Sequence, residues 1–225
     1  MIRKNTNIFN TGLDNYSQIK VNNPYQKEKN ALAYERLLKV PFTSQIRLDE
    51  TKILSRLFQE NLNKDDIVLE IGAGTGYYSL TIASLVKHLI AIEPAKGMAQ
   101  QLREKATLSQ RTNIELHEKY FEQFESAFSF DHVIAIGVLD YITNPGVFID
   151  RCLSLAKKKF IFTAPHRGLW TWFYKMGALF QQTKIYRYSK EDLKLLFPNS
   201  VLHIDDVGLK SSLTKGFSLI CMASN

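Results

Sequence analysis

The run LEIGAGTGYYSL places Glu70 at the end of an apolar stretch, then Gly72, Gly74 and Gly76 at alternate positions with Ala73 between them. Glycine accepts positive φ and lets the backbone approach a ligand with no Cβ in the way. Amides at the start of a following helix can receive a carboxylate or another anion. Glu70 sets a negative charge at the mouth of such a turn. The spacing is G-x-G-x-G, and Tyr77 stands where the dinucleotide fingerprint G-x-G-x-x-G places its third glycine. The Gly-Lys-Ser/Thr ending of a phosphate-binding loop is absent. The turn therefore suits a ligand other than a phosphate chain, or is simply a tight turn. Tyr77 opens the helix expected next and lies beside any ligand; Tyr78 is expected to pack.

A second acid, Glu93, comes 23 residues after Glu70 in AIEPAKGMAQQL, followed by Pro94. An acid at the end of a strand there can accept hydrogen bonds from both hydroxyls of a ribose. Met98 falls in the first turn of the next helix, against a purine ring or in ordinary helix-to-sheet packing. Further on, GVLDYI (137–142) brings Gly137, Asp140 and Tyr141 to the rim beyond a fourth strand. Asp140 there either orients or deprotonates an acceptor hydroxyl or caps the next turn, and Tyr141 forms a wall. His166, in TAPHRG, sits past the fifth strand on the same rim, where a pKa of about 6.5 suits a general base. A lone loop histidine is also often incidental. His88, His117, His132 and His203 read as structural.

The elements that must hold these groups follow from hydrophobic period. Apolar strands are predicted at 67–71, 88–92, 113–117, 131–136 and 159–164. Helices are expected at 77–86, 96–107 and 145–156, with a weaker one near 121–126 and another at 189–197. Continuously apolar strands separated by helices indicate a parallel sheet covered on both faces. SVLHIDDVGLK and GFSLICMA are two strand-like runs, so an antiparallel hairpin closes the sheet. Upstream, Asn23 and Pro24 start a helix that Pro41 ends, and Ser44 is expected to cap a second. We read residues 1–44 as an arm and cap helix. Residues 45–225 form one domain, with an aromatic insertion at about 166–188. That insertion (GLWTWFYKMGALF) reads as extra core, a lid for a hydrophobic acceptor, or a membrane-surface or partner patch.

Composition is that of a globular chain, 45% hydrophobic and 23% charged over 225 residues. Cys152 and Cys221 are too few and too isolated for a metal cluster or a disulfide framework, and fit two buried thiols in a cytoplasmic protein. No apolar run reaches the ~18 residues of a membrane span, and the first residues lack a signal-peptide core. The net charge of +7 divides as +3 over 1–50, −4 over 51–150 and +8 over 151–225. The glycine turn thus lies in the acidic part, while the basic end suits a solvated face, nucleic acid, an anionic acceptor or a membrane surface.

VLEIGAGTGYYSL, AIEPAKGMAQQL and FDHVIAIGVLDYI, in that order and at those separations, together resemble the class I S-adenosylmethionine-dependent methyltransferases over about residues 45–225. Beside the N-terminal helical cap read from the pattern at 24–38, the resemblance implies a doubly wound, mostly parallel seven-stranded α/β sheet with an antiparallel terminal hairpin and helices on both faces. It implies that Gly72, Gly74 and Gly76 pass under the methionine part of the cofactor and that Glu93 holds the ribose. It also implies S-adenosylhomocysteine as product, with no metal. Where family members commonly carry an aspartate for the adenine amino group, this chain has Lys119-Tyr120-Phe121. The Phe121 amide and the Tyr120 ring or hydroxyl then become the expected adenine contacts. The reading is methyl transfer to a small, hydrophobic or aromatic acceptor, with oxygen favoured. A nucleic-acid methyltransferase, a non-catalytic S-adenosylmethionine-binding module and a nicotinamide-dependent oxidoreductase stand as alternatives.

Overall fold

A computed structural model describes residues 19–21, 23, 41–167, 185–207 and 218–224. Five parallel strands come first: β1 (Ile67–Ile71), β2 (His88–Ile92), β3 (Ile114–His117), β4 (Phe130–Ala135) and β5 (Ala156–Pro165). β6 (Val201–Val207) and β7 (Ser218–Ser224) follow. The seven strands lie in the order β3-β2-β1-β4-β5-β7-β6, with β7 antiparallel to both β5 and β6. The order reverses between β1 and β4, the point beyond whose carboxyl ends such sheets bind ligands. The expected mixed sheet and closing hairpin are therefore present.

The helices are α1 (Pro41–Asn61), α2 (Ser79–Leu85), α3 (Lys96–Leu108), α4 (Pro145–Leu155) and α5 (Lys190–Leu196). Successive strand side chains face opposite sides, so each apolar run divides between two cores. Leu69, Val133, Phe160, Phe162 and Cys221 pack with Phe148, Ile149 and Cys152 of α4 and Leu193 of α5. Val68, Ile134, Ile161 and Ile220 pack with Leu54, Leu57 and Phe58 of α1 and Ile82 and Ala83 of α2. Both faces are covered, which is why these strands show no polar alternation. Cys152 and Cys221 are buried free thiols. Among the described residues no helix is long and apolar enough to cross a membrane.

Several boundaries differ from the sequence expectation; β5, expected at 159–164, runs from Ala156 to Pro165. α1 begins at Pro41 rather than at Ser44; proline fits a first helical turn, where its missing N–H has no partner to lose. α2 begins at Ser79 rather than 77, because the glycine turn runs on through Tyr78. The weak helix near 121–126 is a single 3-10 turn, Phe121–Gln123. α5 starts as expected from Ser189, whose hydroxyl accepts from the Asp192 amide at 3.0 Å while Asp192 Oδ2 accepts from the Ser189 amide at 2.8 Å. The cap helix expected at 24–38 and most of the aromatic insertion lie outside the described residues.

Candidate cofactor and acceptor site

Beyond Ile71 the chain turns sharply and is tied at once to β2: the amides of Gly72 and Ala73 donate to the Ile92 carbonyl at 2.8 and 3.0 Å. Gly72, Gly74 and Gly76 all have positive φ, at 70°, 57° and 80°. A Cβ on Gly72 would lie 2.5 Å from Val138 Cγ2, and one on Gly76 would strike Leu102 of α3. At Gly74 a Cβ would reach only the Met98 sulfur, at 4.0 Å. The outer two glycines are therefore packing requirements of the turn. The middle one keeps an open face toward buried Met98.

Two buried acids frame this turn. Glu93, 4% exposed just past β2, accepts from the Gly74 amide through Oε2 and from the Ala95 amide through Oε1, both at 2.8 Å. Burial pushes its carboxyl above the ordinary range, and the two amides oppose that. Each oxygen retains a second lone pair, so hydroxyl donors can still be accepted there. Pro94 is half-buried beside it. Glu70, the penultimate residue of β1, is 3% exposed, and its Oε2 has no hydrogen-bond partner among the described residues. Burial, with the neighbouring Glu93 charge, pushes its carboxyl up to about 8; the nearby Ser79 hydroxyl, which closes no well-aligned bond, offsets part of this. An unpaired buried carboxyl is costly, and a cation placed against it would remove the cost.

Tyr120 and Phe121 sit past β3. The Phe121 ring is committed to the core, 5.5 Å from the Phe148 ring with the Arg151 guanidinium 4.4 Å above it. What Phe121 can offer a ligand is its amide, at the first position of a 3-10 turn where intrahelical bonds do not reach.

The opposite rim is built from the ends of β4, β5 and β7. Gly137 (φ 68°) donates its amide to Thr163 Oγ1 at 2.8 Å, locking the exit of β4 to β5. A 3-10 turn (Leu139–Tyr141) then presents half-buried Asp140 and Tyr141. Burial pushes the Asp140 carboxyl up to about 7, with the charge of Glu50 adding to the rise. His166 bridges to Tyr188 at the end of β5, half-buried on the same rim.

Glu50, which the sequence did not single out, completes this rim. Its Oε1 accepts from Ser218 at the start of β7 at 3.2 Å, and its Oε2 lies 3.5 Å from the Tyr78 hydroxyl. Thr51 donates to the Tyr77 hydroxyl at 3.3 Å, and the Arg47 guanidinium lies 3.7 Å from the centre of the Tyr77 ring. Tyr77 is 42% exposed and faces α1 from the turn. Tyr78 packs edge-on to Phe58, as expected. His132 is buried beside Asp66 at the far, amino ends of the strands, 3.5 Å away, which is a structural position. Among the described residues no cluster of three metal-ligating side chains forms.

Residues 62–216 match the family described as "Methyltransferase domain". A stretch of 104 residues is 35% identical to the ribosomal RNA small subunit methyltransferase A of Thermotoga neapolitana, covering 45% of this chain and 38% of that protein. Another of 83 residues is 32% identical to protein-L-isoaspartate O-methyltransferase 2 of Nitrosococcus oceani, covering 36% and 37%. The match thus spans well under half the length of these curated relatives. Among solved structures, the magnesium protoporphyrin IX methyltransferase of Synechocystis PCC 6803 with bound S-adenosylmethionine superposes with a TM-score of 0.67 at 15% identity, over 97% of this chain and 99% of that one. The N-methyltransferase NodS of Bradyrhizobium japonicum WM9 with S-adenosylhomocysteine gives 0.68 at 18%, over 90% and 98%. With the matched family covering most of its length, and with the seven-stranded class I fold, this chain belongs to the methyltransferase domain family.

Proposed function

We propose that the crevice at the β1/β4 switch point binds S-adenosylmethionine and that the protein passes its methyl group to a small, largely apolar acceptor by in-line displacement. The observation that carries this reading is Glu70 Oε2, buried and unpaired beside a glycine turn that two other elements pack too closely to admit a Cβ. The ammonium of a methionine moiety suits that oxygen. Gly72, Ala73, Gly74 and Gly76 pass beneath this part of the ligand. Glu93 accepts the ribose hydroxyls on lone pairs that the Gly74 and Ala95 amides leave over, with Pro94 shaping the approach. Met98 and the Phe121 amide border the purine, with Tyr120 alongside; Tyr77 and Gly137 close the two ends.

When bound, the sulfonium supplies an already electrophilic methyl group, so the protein's task is placement. Fixing the acceptor in line can account for about 7–11 kcal/mol of barrier reduction. Asp140, His166 and Tyr141 line the side from which the acceptor atom approaches; Asp140 is the group placed to take a proton from it. Binding S-adenosylhomocysteine but not NAD, read as a thermal shift, supports the reading. A shift with NAD alone overturns it.

A second reading, methylation of RNA, is favoured by the ribosomal RNA methyltransferase likeness and by the +8 charge of residues 151–225. Transfer of labelled methyl groups to RNA, with binding that weakens steeply as salt rises, would establish it. Transfer to a small-molecule fraction with none to RNA would exclude it.

A further inference from the structure

The turn that carries Asp140 and Tyr141 has little support of its own. Within it the Tyr141 amide donates to the Val138 carbonyl at 3.0 Å and the Ile142 amide to the Leu139 carbonyl at 3.4 Å, and a single 3-10 turn fixes a loop weakly. Three segments distant in sequence hold it from outside. At its entry the Gly137 amide donates to Thr163 of β5. At its middle the Asp140 carbonyl accepts from the Tyr186 amide at 2.8 Å, and the Leu139 carbonyl from the Tyr188 hydroxyl at 3.4 Å. At its exit stand residues 19–21 of the N-terminal arm. The Lys20 carbonyl accepts from both the amide and the hydroxyl of Thr143, each at 3.0 Å, which occupies both of its lone pairs. Val21 bridges antiparallel to Ile142, and Ile19 is 2% exposed in the core that also holds Leu139 and Ile142. The Lys20 side chain is exposed, so backbone bonds and apolar neighbours hold this strap in place. A threonine just before the Asn144 N-cap of α4 could serve that helix; here its hydroxyl donates instead to a segment 123 residues earlier.

We propose that Thr143 is a positioning residue of the acceptor side: by tying the N-terminal arm to the turn after β4, it holds Asp140 at the place from which that carboxyl meets the acceptor. The inference rests on the cofactor reading above, which assigns this rim to the acceptor. Thr143 acts through the backbone of the turn rather than on the acceptor itself. A loop held at entry and middle alone can still swing at its exit, and an in-line transfer tolerates little misplacement. Loosening the strap therefore lowers the turnover of methyl transfer. Cofactor affinity stays, because the glycine turn is tied to β2 and to Glu93 and not to the arm.

The test follows the Asp140 carboxyl by carbon-13 NMR in the full chain labelled at aspartate, with Asp140→Asn identifying its signal. Burial pushes this carboxyl up to about 7, against an ordinary 3.8. Glu50 of α1 and the Tyr188 hydroxyl are the titratable groups coupled to it, and changing Thr143 or Ile19 alters neither. Thr143→Val keeps the shape and removes the hydroxyl; Ile19→Ala removes the anchor. Each should lower the Asp140 midpoint by about one pH unit as the carboxyl gains water. Thr143→Ser keeps the hydroxyl and should keep the wild-type midpoint. In Ile19→Ala the Thr143 amide should also exchange with solvent about tenfold faster. Affinity for S-adenosylhomocysteine by calorimetry should stay within about threefold of wild type throughout, showing the variants folded. A midpoint that stays put in Thr143→Val and Ile19→Ala overturns the proposal, most sharply where the Thr143 amide has been freed. A loss in Thr143→Ser equal to that in Thr143→Val overturns it as well, and so does a parallel loss of S-adenosylhomocysteine binding in Thr143→Val, which marks the residue as structural only. If wild-type protein does not bind S-adenosylhomocysteine, the cofactor reading fails, while the titration still decides whether Thr143 holds Asp140.

Discussion

Glu70→Gln should stabilise the ligand-free protein and weaken its binding of cofactor, and the two effects have one origin. The wild-type carboxyl ordinarily ionises near 4.5 and is pushed to about 8 inside the fold, which costs its charged form on the order of 5 kcal/mol. Below pH 4.5 the group is protonated whether the chain is folded or not, and no stability is lost. As pH rises toward 8 the unfolded chain ionises Glu70 and the folded chain does not, so stability falls; above 8 the penalty is constant. Between pH 6 and pH 9 this amounts to about 3 kcal/mol. Glutamine does not titrate, and it also removes the repulsion between the Glu70 and Glu93 charges. The stability advantage of the variant should therefore grow by about 3 kcal/mol from pH 6 to pH 9 in urea unfolding. That corresponds to roughly 6–12 °C of added separation in Tm for a chain of this size. At the same time S-adenosylhomocysteine should bind about tenfold or more weakly, because a neutral amide leaves the ammonium without its counter-charge. Parallel loss of stability with pH in the two proteins would refute the claim that Glu70 is buried and unpaired. Unchanged affinity would refute its role toward the ligand.

The glycines should separate by what surrounds them: Gly137→Ala meets no atom within 4 Å and bears only its positive φ, a cost of about 1–2 kcal/mol. Gly72→Ala and Gly76→Ala add displacement of Val138 and Leu102 and should cost about 2–4 kcal/mol in unfolding, with loss of cofactor binding. Glu93→Ala strands the Gly74 and Ala95 amides, at about 1–3 kcal/mol for each one left buried; urea unfolding should report the loss, and adenosine, which has the ribose but no methionine, should bind more weakly as well. Methyl transfer should rise with pH through about 7 as Asp140 ionises, and Asp140→Asn should flatten that limb of the kcat/KM profile.

The central sheet was readable because its strands are buried on both faces. Val68, Leu69, Ile134 and Phe160 each serve one of two cores, and so appear as unbroken apolar runs. The turn was readable because its chemistry is local: three glycines, then an acid one β-α-β unit later. The start of α2 was not, since helical spacing says nothing about how far a glycine turn extends, and Tyr77 consequently faces α1 from the turn rather than opening the helix. Phe121 was placed correctly on the rim beyond β3, but its ring belongs to the core formed with Phe148 and Arg151, partners that come much later in the chain. Glu50 could not be found at all. In sequence it is one acid among several on the polar side of a helix, and its partner Ser218 lies 168 residues away. Local pattern locates what the backbone does, and long-range closure decides which side chains meet.

The most direct test is a crystal structure of the protein with S-adenosylhomocysteine. It should show the methionine ammonium on Glu70, the ribose hydroxyls on Glu93 with the Gly74 and Ala95 amides still bound, and the sulfur facing Asp140 across the exit of β4. A ligand seated elsewhere, or one that leaves the Glu70 carboxyl buried and unpaired, would contradict the assignment of this crevice.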